Sequence, residues 1–325
     1  MRALVTGGTG FVGAHVARAL SDAGHEVCIL HRASSKLDVL EGLVYQSALG
    51  DVTEPEALRA ACEGCDWVFH VAAVADYWRA EVSRMFEVNV QGTGNVLAAA
   101  RDAGVKRVVF TSSAAAVGLN DETPCDESAP FNLPPHRFPY GYSKMLAERV
   151  VQDAVRAGQQ VVTVNPVIVI GPGDINHISG SMVIETKQRG RLMPIAPGGA
   201  SYVDVRDVAH WQIAAAEQGI PGERYILSAA DYTHRQWFDL IAGIVGVPKS
   251  VVNVPRFAVP IMAGAVGLGR RIGLNLPVDP DQVRLSARNV YFNGQKAWKA
   301  FDPPQVDMRQ SLTDTYEWYR ARGEV

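Results

Sequence analysis

Residues 5–13 read VTGGTGFVG, and this stretch decides the fold. A run of apolar residues ends at Thr6, and apolar residues recur at helical spacing from Phe11 onward. Between the two segments lie four glycines: Gly7, Gly8, Gly10 and Gly13. A strand, a glycine-rich turn and a helix in this order are the context that a dinucleotide-binding fingerprint requires.

The glycine turn has two interpretations. In the first, Gly7 makes the turn, Gly10 admits a pyrophosphate near the backbone, and Gly13 lets the helix close on the strand. The N–H groups at the start of the helix, at Phe11 and Val12, would then face the anion together with the positive end of the helix dipole. In the second, the glycines only turn a tight corner. The residues downstream favour the first, and we predict a cofactor site here.

Length and composition are those of an ordinary soluble enzyme. The chain has 325 residues, of which 47% are hydrophobic and 20% charged, and its formal charge is −3. This length corresponds to about two domains. Because there is no basic excess, we expect no nucleic-acid partner.

The chain carries no obvious targeting segment. It begins as a strand, without a basic n-region or a cleavage site, so we expect no signal peptide. The longest apolar stretch, residues 257–268 (FAVPIMAGAVGL), contains Pro260 and is too short to span a bilayer. It is predicted to form a buried helix or a hydrophobic lid. Four cysteines without a disulfide spacing pattern favour a reducing cytoplasm.

One pair of cysteines raises the question of a metal. Cys62 and Cys65 form a single CxxC, but a zinc site needs four ligands and no second CxxC or HxxxH accompanies the pair. We predict a packing role for both cysteines and no catalytic metal. His70, at the end of an apolar strand, is likewise predicted to be structural.

Apolar strands alternate with helices through the first half of the chain. Strands are predicted at residues 26–31, 43–48, 67–71, 107–111, 161–166 and 225–227. Helices are predicted after Pro55, over 83–103 and over 139–157, and further helices from Thr233, Pro255, Asp279 and Met308. The alternation predicts an α/β fold, a doubly wound parallel (Rossmann) sheet covered on both faces. We assign residues 1–166 to this dinucleotide-binding Rossmann domain, to which the chain returns at 201–230. Residues 167–200 and 231–325 are assigned to a smaller, mostly helical substrate-binding part.

The second strand bears on the choice of nicotinamide cofactor. NAD-preferring folds place a carboxylate about 20 residues beyond the fingerprint, where it bonds the ribose 2′-OH. Here the strand ends Leu30-His31-Arg32, without a carboxylate. Arg32 could stack on adenine and hold a 2′-phosphate, or it could be an ordinary solvated arginine. We predict that NADP(H) is preferred and that NAD(H) can also bind.

A candidate proton relay lies further along the chain. Residues 138–148 read FPYGYSKMLAE and place Tyr140 and Lys144 on one face at the start of a helix. A neighbouring ammonium favours the phenolate and should lower the Tyr140 pKa, so that the phenol can exchange a proton with a substrate oxygen. The strand VVFTSS at 108–113 ends in hydroxyls that could orient the same oxygen. Taken alone, a Tyr-x-x-x-Lys pair is usually a surface feature, whereas this order of motifs favours catalysis.

The chain resembles the extended short-chain dehydrogenase/reductases. The resemblance is specific over residues 1–170 and looser afterwards, and the motifs that carry it are TGGTGFVG (6–13), Gly50-Asp51-Val52, HVAA (70–73), NVQGT (89–93), TSS (111–113), YGYSK (140–144) and VDVRDVA (203–209). It implies that Ser113, Tyr140 and Lys144 are catalytic, with Ser113 a better match than Ser112.

The same resemblance implies a cofactor set beyond the glycine turn. Asp51 would meet the adenine amine, with Val52 beside it in the motif. Ala72 and Ala73 would line the adenosine side, and Asn165-Pro166 would border the nicotinamide. For Asn89, a helix-supporting or water-holding role and a plain structural role are both open.

Within the family, the chain is most similar to the dihydroflavonol-reductase-like branch. Sugar-nucleotide enzymes often carry an Arg-Asp pair ahead of a stretch like YVDVRDVA, and here those positions are Ala200 and Ser201. This departure weakens a nucleotide-sugar substrate. Candidate substrate residues are apolar, although such side chains are more often core: Tyr77, Trp78, Leu119, Phe138, Met182 and Met193.

Three functions remain open from the sequence. The first is NADP(H)-dependent reduction of a carbonyl group, or oxidation of the alcohol, on a mid-sized apolar or aromatic small molecule. The second is a sugar-nucleotide epimerase or dehydratase that recycles its cofactor, and the third is a non-catalytic NADP(H)-binding sensor. An intact relay argues against the sensor. Whether the helix around Tyr140 also forms a homodimer bundle is left open by the sequence.

Overall fold

The computed structural model describes residues 1–75, 80–274, 276 and 278–325. Its strands, in chain order, are β1 (Arg2–Thr6), β2 (Glu26–His31), β3 (Gln46–Leu49), β4 (Trp67–His70), β5 (Arg107–Thr111), β6 (Val161–Pro166), β7 (Ile168–Ile170), β8 (Gly199–Asp204), β9 (Arg224–Leu227), β10 (Ala230–Thr233) and β11 (Asn289–Val290). Its α-helices are α1 (Phe11–Asp22), α2 (Pro55–Cys62), α3 (Val82–Phe86), α4 (Gly92–Asp102), α5 (Pro139–Arg156), α6 (Ser181–Arg189), α7 (Val205–Gln218), α8 (His234–Val245), α9 (Ala258–Arg271), α10 (Pro280–Leu285), α11 (Gln295–Phe301) and α12 (Met308–Ala321).

Seven strands form one parallel sheet in the order β3-β2-β1-β4-β5-β6-β9. The chain builds outward from β1 to β3 and then returns to β4 on the other side of β1. In such sheets ligands bind where the strand order reverses, at the carboxyl ends of the strands. The predicted doubly wound α/β fold is confirmed, and the crevice lies beyond β1 and β4.

Both faces of this sheet are covered by helices, which accounts for its nearly continuous apolar strands. On one face, α1, α7 and α11 pack over a buried cluster that includes Val16, Trp211 and Phe301. On the other face, α2, α4 and α5 pack over a cluster that includes Leu58 and Val151.

A second, smaller sheet was not predicted from the sequence. Its strand β8 pairs in parallel with β7 and β11 and antiparallel with β10. This sheet packs against α6, α8 and α12 around a stacked pair of rings, Tyr202 and Trp237, whose centroids are 3.7 Å apart. The C-terminal part is therefore helical around a small sheet. The proposed division of the chain into two parts remains a prediction.

The helix predicted over residues 83–103 is divided into three pieces. A π-helical segment, Glu87–Gln91, separates α3 from α4. The π turn inserts an additional residue into the helical repeat, and it falls on the motif that begins at Asn89.

Candidate active site

The glycine turn connects β1 to α1 through a very close approach of backbone atoms. Gly7 has φ +73°, a conformation that favours glycine, and the Gly10 N–H donates to the Gly7 carbonyl at 2.9 Å. A Cβ on Gly13 would lie 2.2 Å from the Gly7 oxygen, so the helix can approach the strand only with glycine there. No side chain of a described residue caps the helix start at Gly10. The geometry leaves the N-terminal N–H groups of α1 open to a ligand.

A line of buried polar groups runs from the glycine turn to the next strand. The Thr6 hydroxyl hydrogen-bonds His70 Nδ1 at 2.8 Å and accepts from the Ala72 N–H at 3.3 Å. His70 Nε2 lies 3.0 Å from the Thr93 hydroxyl. Burial, with the nearby Lys144 charge, lowers the pKa of His70 to about 3. The ring is therefore a neutral structural linker, which agrees with the sequence prediction.

Asn89 holds the loop after β4 against α5. Its side chain accepts from the Val74 N–H at 2.8 Å and donates to the Val74 carbonyl at 3.1 Å and to the Ser143 hydroxyl at 3.0 Å. The Ser143 hydroxyl in turn donates to the Tyr140 carbonyl at 2.7 Å. Asn89 thus has a structural role, which connects the predicted adenosine side with the first turn of α5.

Asp51 and Arg32 lie at the carboxyl ends of neighbouring strands. Asp51 accepts from the Thr53 N–H at 3.0 Å and pairs with Arg84 at 3.2 Å. Burial raises the pKa of Asp51, but the hydrogen bonds from Thr53 and the charges of Arg84 and Arg32 outweigh it, so the net direction is downward. Arg32 itself is exposed. Both side chains border the predicted adenosine end.

Tyr140 and Ser113 are brought together by the first turn of α5. A Cβ on Gly141 would lie 2.4 Å from the Ala115 carbonyl, so glycine is what allows α5 to lie against the short turn after β5. The Ser113 side chain acts on the Tyr140 phenol, whose pKa it lowers.

The electrostatics of Tyr140 differ from the prediction. Burial raises the pKa of Tyr140 to about 12, and the Ser113 hydrogen bond opposes this shift without reversing it. The expected lowering by Lys144 is therefore wrong for this arrangement, because desolvation of the phenolate dominates. The phenol is protonated at neutral pH.

Lys144 is almost completely buried, one helical turn beyond Tyr140. Its ammonium donates to the Thr111 carbonyl at 2.8 Å and lies 4.9 Å from the centre of the Phe110 ring. Burial lowers the pKa of Lys144 to about 7, and the attraction of Glu148 opposes this shift. Lys144 can therefore change its charge near neutral pH.

Glu148 anchors a buried network beneath these groups. Its carboxylate accepts from the Ser112 hydroxyl at 2.5 Å, from Asn165 Nδ2 at 2.6 Å and from Arg224 Nη1 at 3.0 Å. Ser112 is thereby engaged away from Tyr140, whereas Ser113 faces it. The preference for Ser113 over Ser112 as the catalytic serine stays a prediction.

Asn165 is fully buried and presents an acceptor without a partner. Its Nδ2 donates to the Ser113 carbonyl at 2.9 Å and to Glu148, and both partners are acceptors, so the orientation of the amide is fixed. Its Oδ1 has no hydrogen-bond partner among the described residues. A donor such as the carboxamide of a nicotinamide fits this position, next to Pro166 at the end of β6.

The predicted substrate residues fall in different places. Leu119 is buried in a cluster with Ala114, the neighbour of Ser113, and Phe138 is buried at the residue before α5. Met193 is buried, and Met182 packs against the cluster around Trp237. Tyr77 and Trp78 lie outside the described residues. The structure thus brings Leu119 and Phe138 near the relay and places Met182 in another cluster.

The positions that departed from the sugar-nucleotide pattern are interior. Ala200 and Ser201 are buried in β8, and the Ser201 hydroxyl donates to Asp231 and accepts from the Phe292 N–H at 2.9 Å. These residues therefore stabilise the small sheet.

The cysteines show no ligand geometry. Cys62 and Cys65 are buried, and burial raises the pKa of Cys62 to about 12 and that of Cys65 to about 11. Among the described residues, no group of three or more His, Cys, Asp or Glu side chains is arranged to hold a metal.

Two residues of the site were missed by the sequence analysis. Glu148 follows Lys144 by four residues, so the helical spacing that paired Tyr140 with Lys144 could have included it. Arg224 had no such signal, because it reaches Glu148 from β9, far along the chain.

Comparison with known proteins agrees with this geometry. Residues 3–228 match the model of the NAD dependent epimerase/dehydratase family. A Synechocystis sp. protein named dihydroflavonol 4-reductase is 34% identical over 330 residues, covering 99% of this chain and 95% of that protein. A 3-beta-hydroxysteroid dehydrogenase of Mycolicibacterium neoaurum is 33% identical, covering 98% of this chain and 91% of that protein. The structure of a dTDP-glucose 4,6-dehydratase from Streptomyces venezuelae, with NAD and TYD bound, has a TM-score of 0.80 at 25% identity and covers 99% and 98% of the two chains.

Proposed function

The chain belongs to the NAD dependent epimerase/dehydratase family, and on that premise we propose that it is an NADP(H)-dependent oxidoreductase acting on a carbonyl or alcohol group of a mid-sized apolar or aromatic molecule. The observation that carries the proposal is that Tyr140 and Lys144 are both buried, one turn apart on α5, and that the Ser113 side chain acts on the Tyr140 phenol. An oriented phenol beside a second hydroxyl is what the protonation of a substrate oxygen requires.

In the reductive direction each side chain has a distinct task. Ser113 holds the substrate oxygen and orients it toward Tyr140. Tyr140, protonated because burial raises its pKa to about 12, donates its proton to the oxygen as negative charge develops there. The Lys144 ammonium then stabilises the resulting phenolate.

The pKa of Lys144 makes this task dependent on pH. With a pKa of about 7, the ammonium is present below neutrality and is lost above it. The reductive direction uses the ammonium, so it is favoured at lower pH, and the oxidative direction is favoured as the pH rises.

In this proposal, residues of the glycine turn and of the strand ends hold the cofactor. The N–H groups at the start of α1 would hold the pyrophosphate, Asp51 the adenine, and Asn165 the carboxamide of the nicotinamide. When bound, the nicotinamide supplies or accepts the hydride. Arg32 would pair with a 2′-phosphate, which supports a preference for NADP(H).

Three observations support an apolar substrate. The cluster next to Ser113 is apolar and contains Leu119 and Phe292. The positions where sugar-nucleotide enzymes often carry an Arg-Asp pair are the buried Ala200 and Ser201. Finally, the relatives at 33–34% identity are named for a dihydroflavonol and a hydroxysteroid substrate.

A sugar-nucleotide epimerase or dehydratase is the second candidate. The likeness to dTDP-glucose 4,6-dehydratase over the whole chain favours it. Such an enzyme recycles its cofactor within one turnover and produces no net change in added NADPH.

The test is a substrate screen with purified protein. NADPH absorbance is followed with a panel of ketones, aldehydes and oxosteroids, and product formation from UDP-glucose and dTDP-glucose is followed in parallel. We expect NADPH consumption with members of the first panel. Conversion of a nucleotide sugar without net NADPH consumption, together with no turnover of the first panel, would establish the second candidate instead.

A further inference from the structure

Helix α9 exposes a row of large apolar side chains to solvent. Phe257, Ile261, Leu268 and Ile272 are 75%, 68%, 63% and 70% exposed. Their spacings of four, seven and four residues place them on one side of the helix and its two flanking residues. A contiguous row of this kind is unusual on a soluble surface and marks a site of interaction.

The opposite side of α9 already has a partner. Val259 and Ala263 are buried, and α9 packs against α10. The sequence of this segment predicted a buried helix or a hydrophobic lid, whereas the structure buries one side of the helix and leaves the other apolar side open. Leu274, just beyond the helix, is also exposed.

The segment that carries the row has an unusual charge distribution. Residues 240–278 contain Lys249, Arg256, Arg270 and Arg271 and no Asp or Glu, although 34 of the 325 residues are acidic. Arg270 is paired with Asp279 and Lys249 with Asp239. The other two arginines form no ion pair with a described residue.

A groove lies between α9 and α10, on the packed side of α9. It has a volume of about 300 Å³ and is lined by Arg256, Val259, Pro260, Arg284 and Ala287. Arg284 is paired with Asp281 at 2.7 Å, so Arg256 is the arginine of this groove that has no ion pair with a described residue.

We propose that α9 is an interfacial helix that docks the protein on an anionic lipid bilayer. Its 14 residues are about 21 Å long, which is too short to cross a hydrocarbon core of ~30 Å. No described helix is long and apolar enough to cross a membrane. The helix therefore lies in the plane of the interface, with its apolar row among the acyl chains and Arg256 and Arg271 among the phosphates.

Helix α10, against which α9 packs, lies next to the candidate active site. Arg137, which precedes the Tyr140 helix, approaches Asp281 of α10 at 3.9 Å. Leu285 of α10 packs against the apolar cluster that contains Ala114 and Leu119. If the proposed function holds, an apolar substrate dissolved in the bilayer would reach Ser113 and Tyr140 along this side of the protein.

Vesicle flotation with the full chain tests the docking. One set of vesicles contains phosphatidylcholine alone, and the other contains phosphatidylcholine and phosphatidylglycerol in equal parts. We expect binding to the anionic vesicles that weakens as salt is raised. The double variant Ile261→Ser/Leu268→Ser should lose about tenfold or more in affinity. The matched control Val44→Ser/Ile220→Ser, which changes two exposed side chains elsewhere, should bind as the parent does.

Three further measurements keep the test decisive. Circular dichroism and NADPH titration show whether the double variant is folded, and sedimentation velocity gives the oligomeric state. Absence of parent binding, or equal binding by the double variant, overturns the proposal. So does a parent dimer that the double variant converts to a monomer without any vesicle binding, since the row would then join two copies. Vesicle binding without turnover of any apolar carbonyl compound would overturn the proposed function and leave the docking intact.

Discussion

Tyr140 is the residue on which the proposed chemistry depends most directly. Tyr140→Phe keeps the buried ring and removes only the acid. Turnover should therefore fall by about 10²–10⁴, the usual contribution of general acid–base catalysis, while NADPH affinity is kept. The measurement is single-turnover reduction at saturating NADPH. Tyr142→Phe, two residues along α5, is the control and should retain the parent rate. A near-parent rate for Tyr140→Phe would assign the acid to another group.

Glu148 acts through Lys144, and its effect should appear as a shift in a pH profile. Burial lowers the Lys144 pKa and the Glu148 charge raises it. Glu148→Gln removes the raising effect, so the Lys144 pKa falls further and the ammonium is lost at lower pH. In the reductive direction the alkaline decline of kcat/KM, expected near pH 7 in the parent, should move to lower pH.

We expect Glu148→Gln to fold. In this variant Arg224 loses its charged partner but keeps its hydrogen bonds to the carbonyls of Glu127 and Ala129. Asp153→Asn, exposed on the same helix, is the control and should leave the profile unchanged. An unshifted profile for Glu148→Gln in a folded protein would show that Glu148 is only structural.

Arg32 should decide the choice of cofactor. A hydrogen bond to a charged group contributes about 1.5–3 kcal/mol, so Arg32→Ala should weaken NADPH by roughly tenfold to a hundredfold and leave NADH nearly unchanged. Dissociation constants for both cofactors, from fluorescence titration, provide the measurement. Arg101→Ala, which changes an exposed arginine of α4, serves as control. Equal losses for the two cofactors would leave Arg32 without a role in selectivity.

At the scale of single elements, the sequence predicted those strands whose signals are local. The bounds of β2, β5 and β6 match the predicted ranges because each is a continuous apolar run. The strand predicted at 43–48 is instead β3, Gln46–Leu49, since the apolar residues at 43–45 precede the pairing with β2. The small sheet was missed because its short strands pair only through distant residues, such as Asn289 with Gly199.

The break between α3 and α4 shows why a tertiary contact can override a helical pattern. The period of apolar residues over 83–103 is that of one helix, and local propensity contains no signal for an additional residue. The π turn places the Asn89 side chain against Val74 and Ser143. The hydrogen bonds that Asn89 makes to the Val74 backbone and to the Ser143 hydroxyl compensate for the distorted turn.

Asn89→Ala should therefore destabilise the protein. The Val74 N–H and carbonyl would lose their partner, and each unsatisfied buried group costs about 1–3 kcal/mol. We expect a loss of about 2–4 kcal/mol in the free energy of unfolding, measured by urea denaturation. Asn95→Ala removes a single hydrogen bond, to the Val52 carbonyl, and should cost less. Equal losses of unfolding free energy for the two variants would show that the Asn89 hydrogen bonds to Val74 do not contribute as proposed.

At the scale of the whole molecule, the order of motifs predicted more than any motif alone. The parallel sheet, and the edge where Ser113 and Tyr140 lie, were predicted from three motifs in this order: the glycine turn, the strand that ends in serines and the helix with the Tyr-x-x-x-Lys pair. The buried environment did not follow from that order. The net direction of the Tyr140 pKa shift depends on desolvation of the phenol, which is set by every element packed around it. This is why the relay residues were predictable and the direction of the Tyr140 pKa shift was not.

The same desolvation predicts how global stability depends on pH. Lys144 has a pKa of about 7 when folded and 10.5 in its ordinary state, so between these values the unfolded chain binds the additional proton. Stability should rise with pH across that window. The raised pKa values of Cys62 and Cys65, about 12 and about 11 against an ordinary 9, act in the opposite direction above pH 9. The maximum should therefore lie between about pH 8 and 9.

Urea denaturation of the parent and of Lys144→Met over this range checks the sign. The free energy of unfolding of the parent should rise from about pH 7 to pH 8.5. The variant has no titrating group at this position, so its free energy of unfolding should not rise over that range. Both proteins should become less stable above pH 9. The rise below neutrality should persist in both proteins, because burial also lowers the pKa of His15, His70 and His234. A parent that loses stability between about pH 7 and 8.5 would mean that the Lys144 ammonium is solvated or fully compensated in the fold, and the pH dependence proposed for the relay would fail with it.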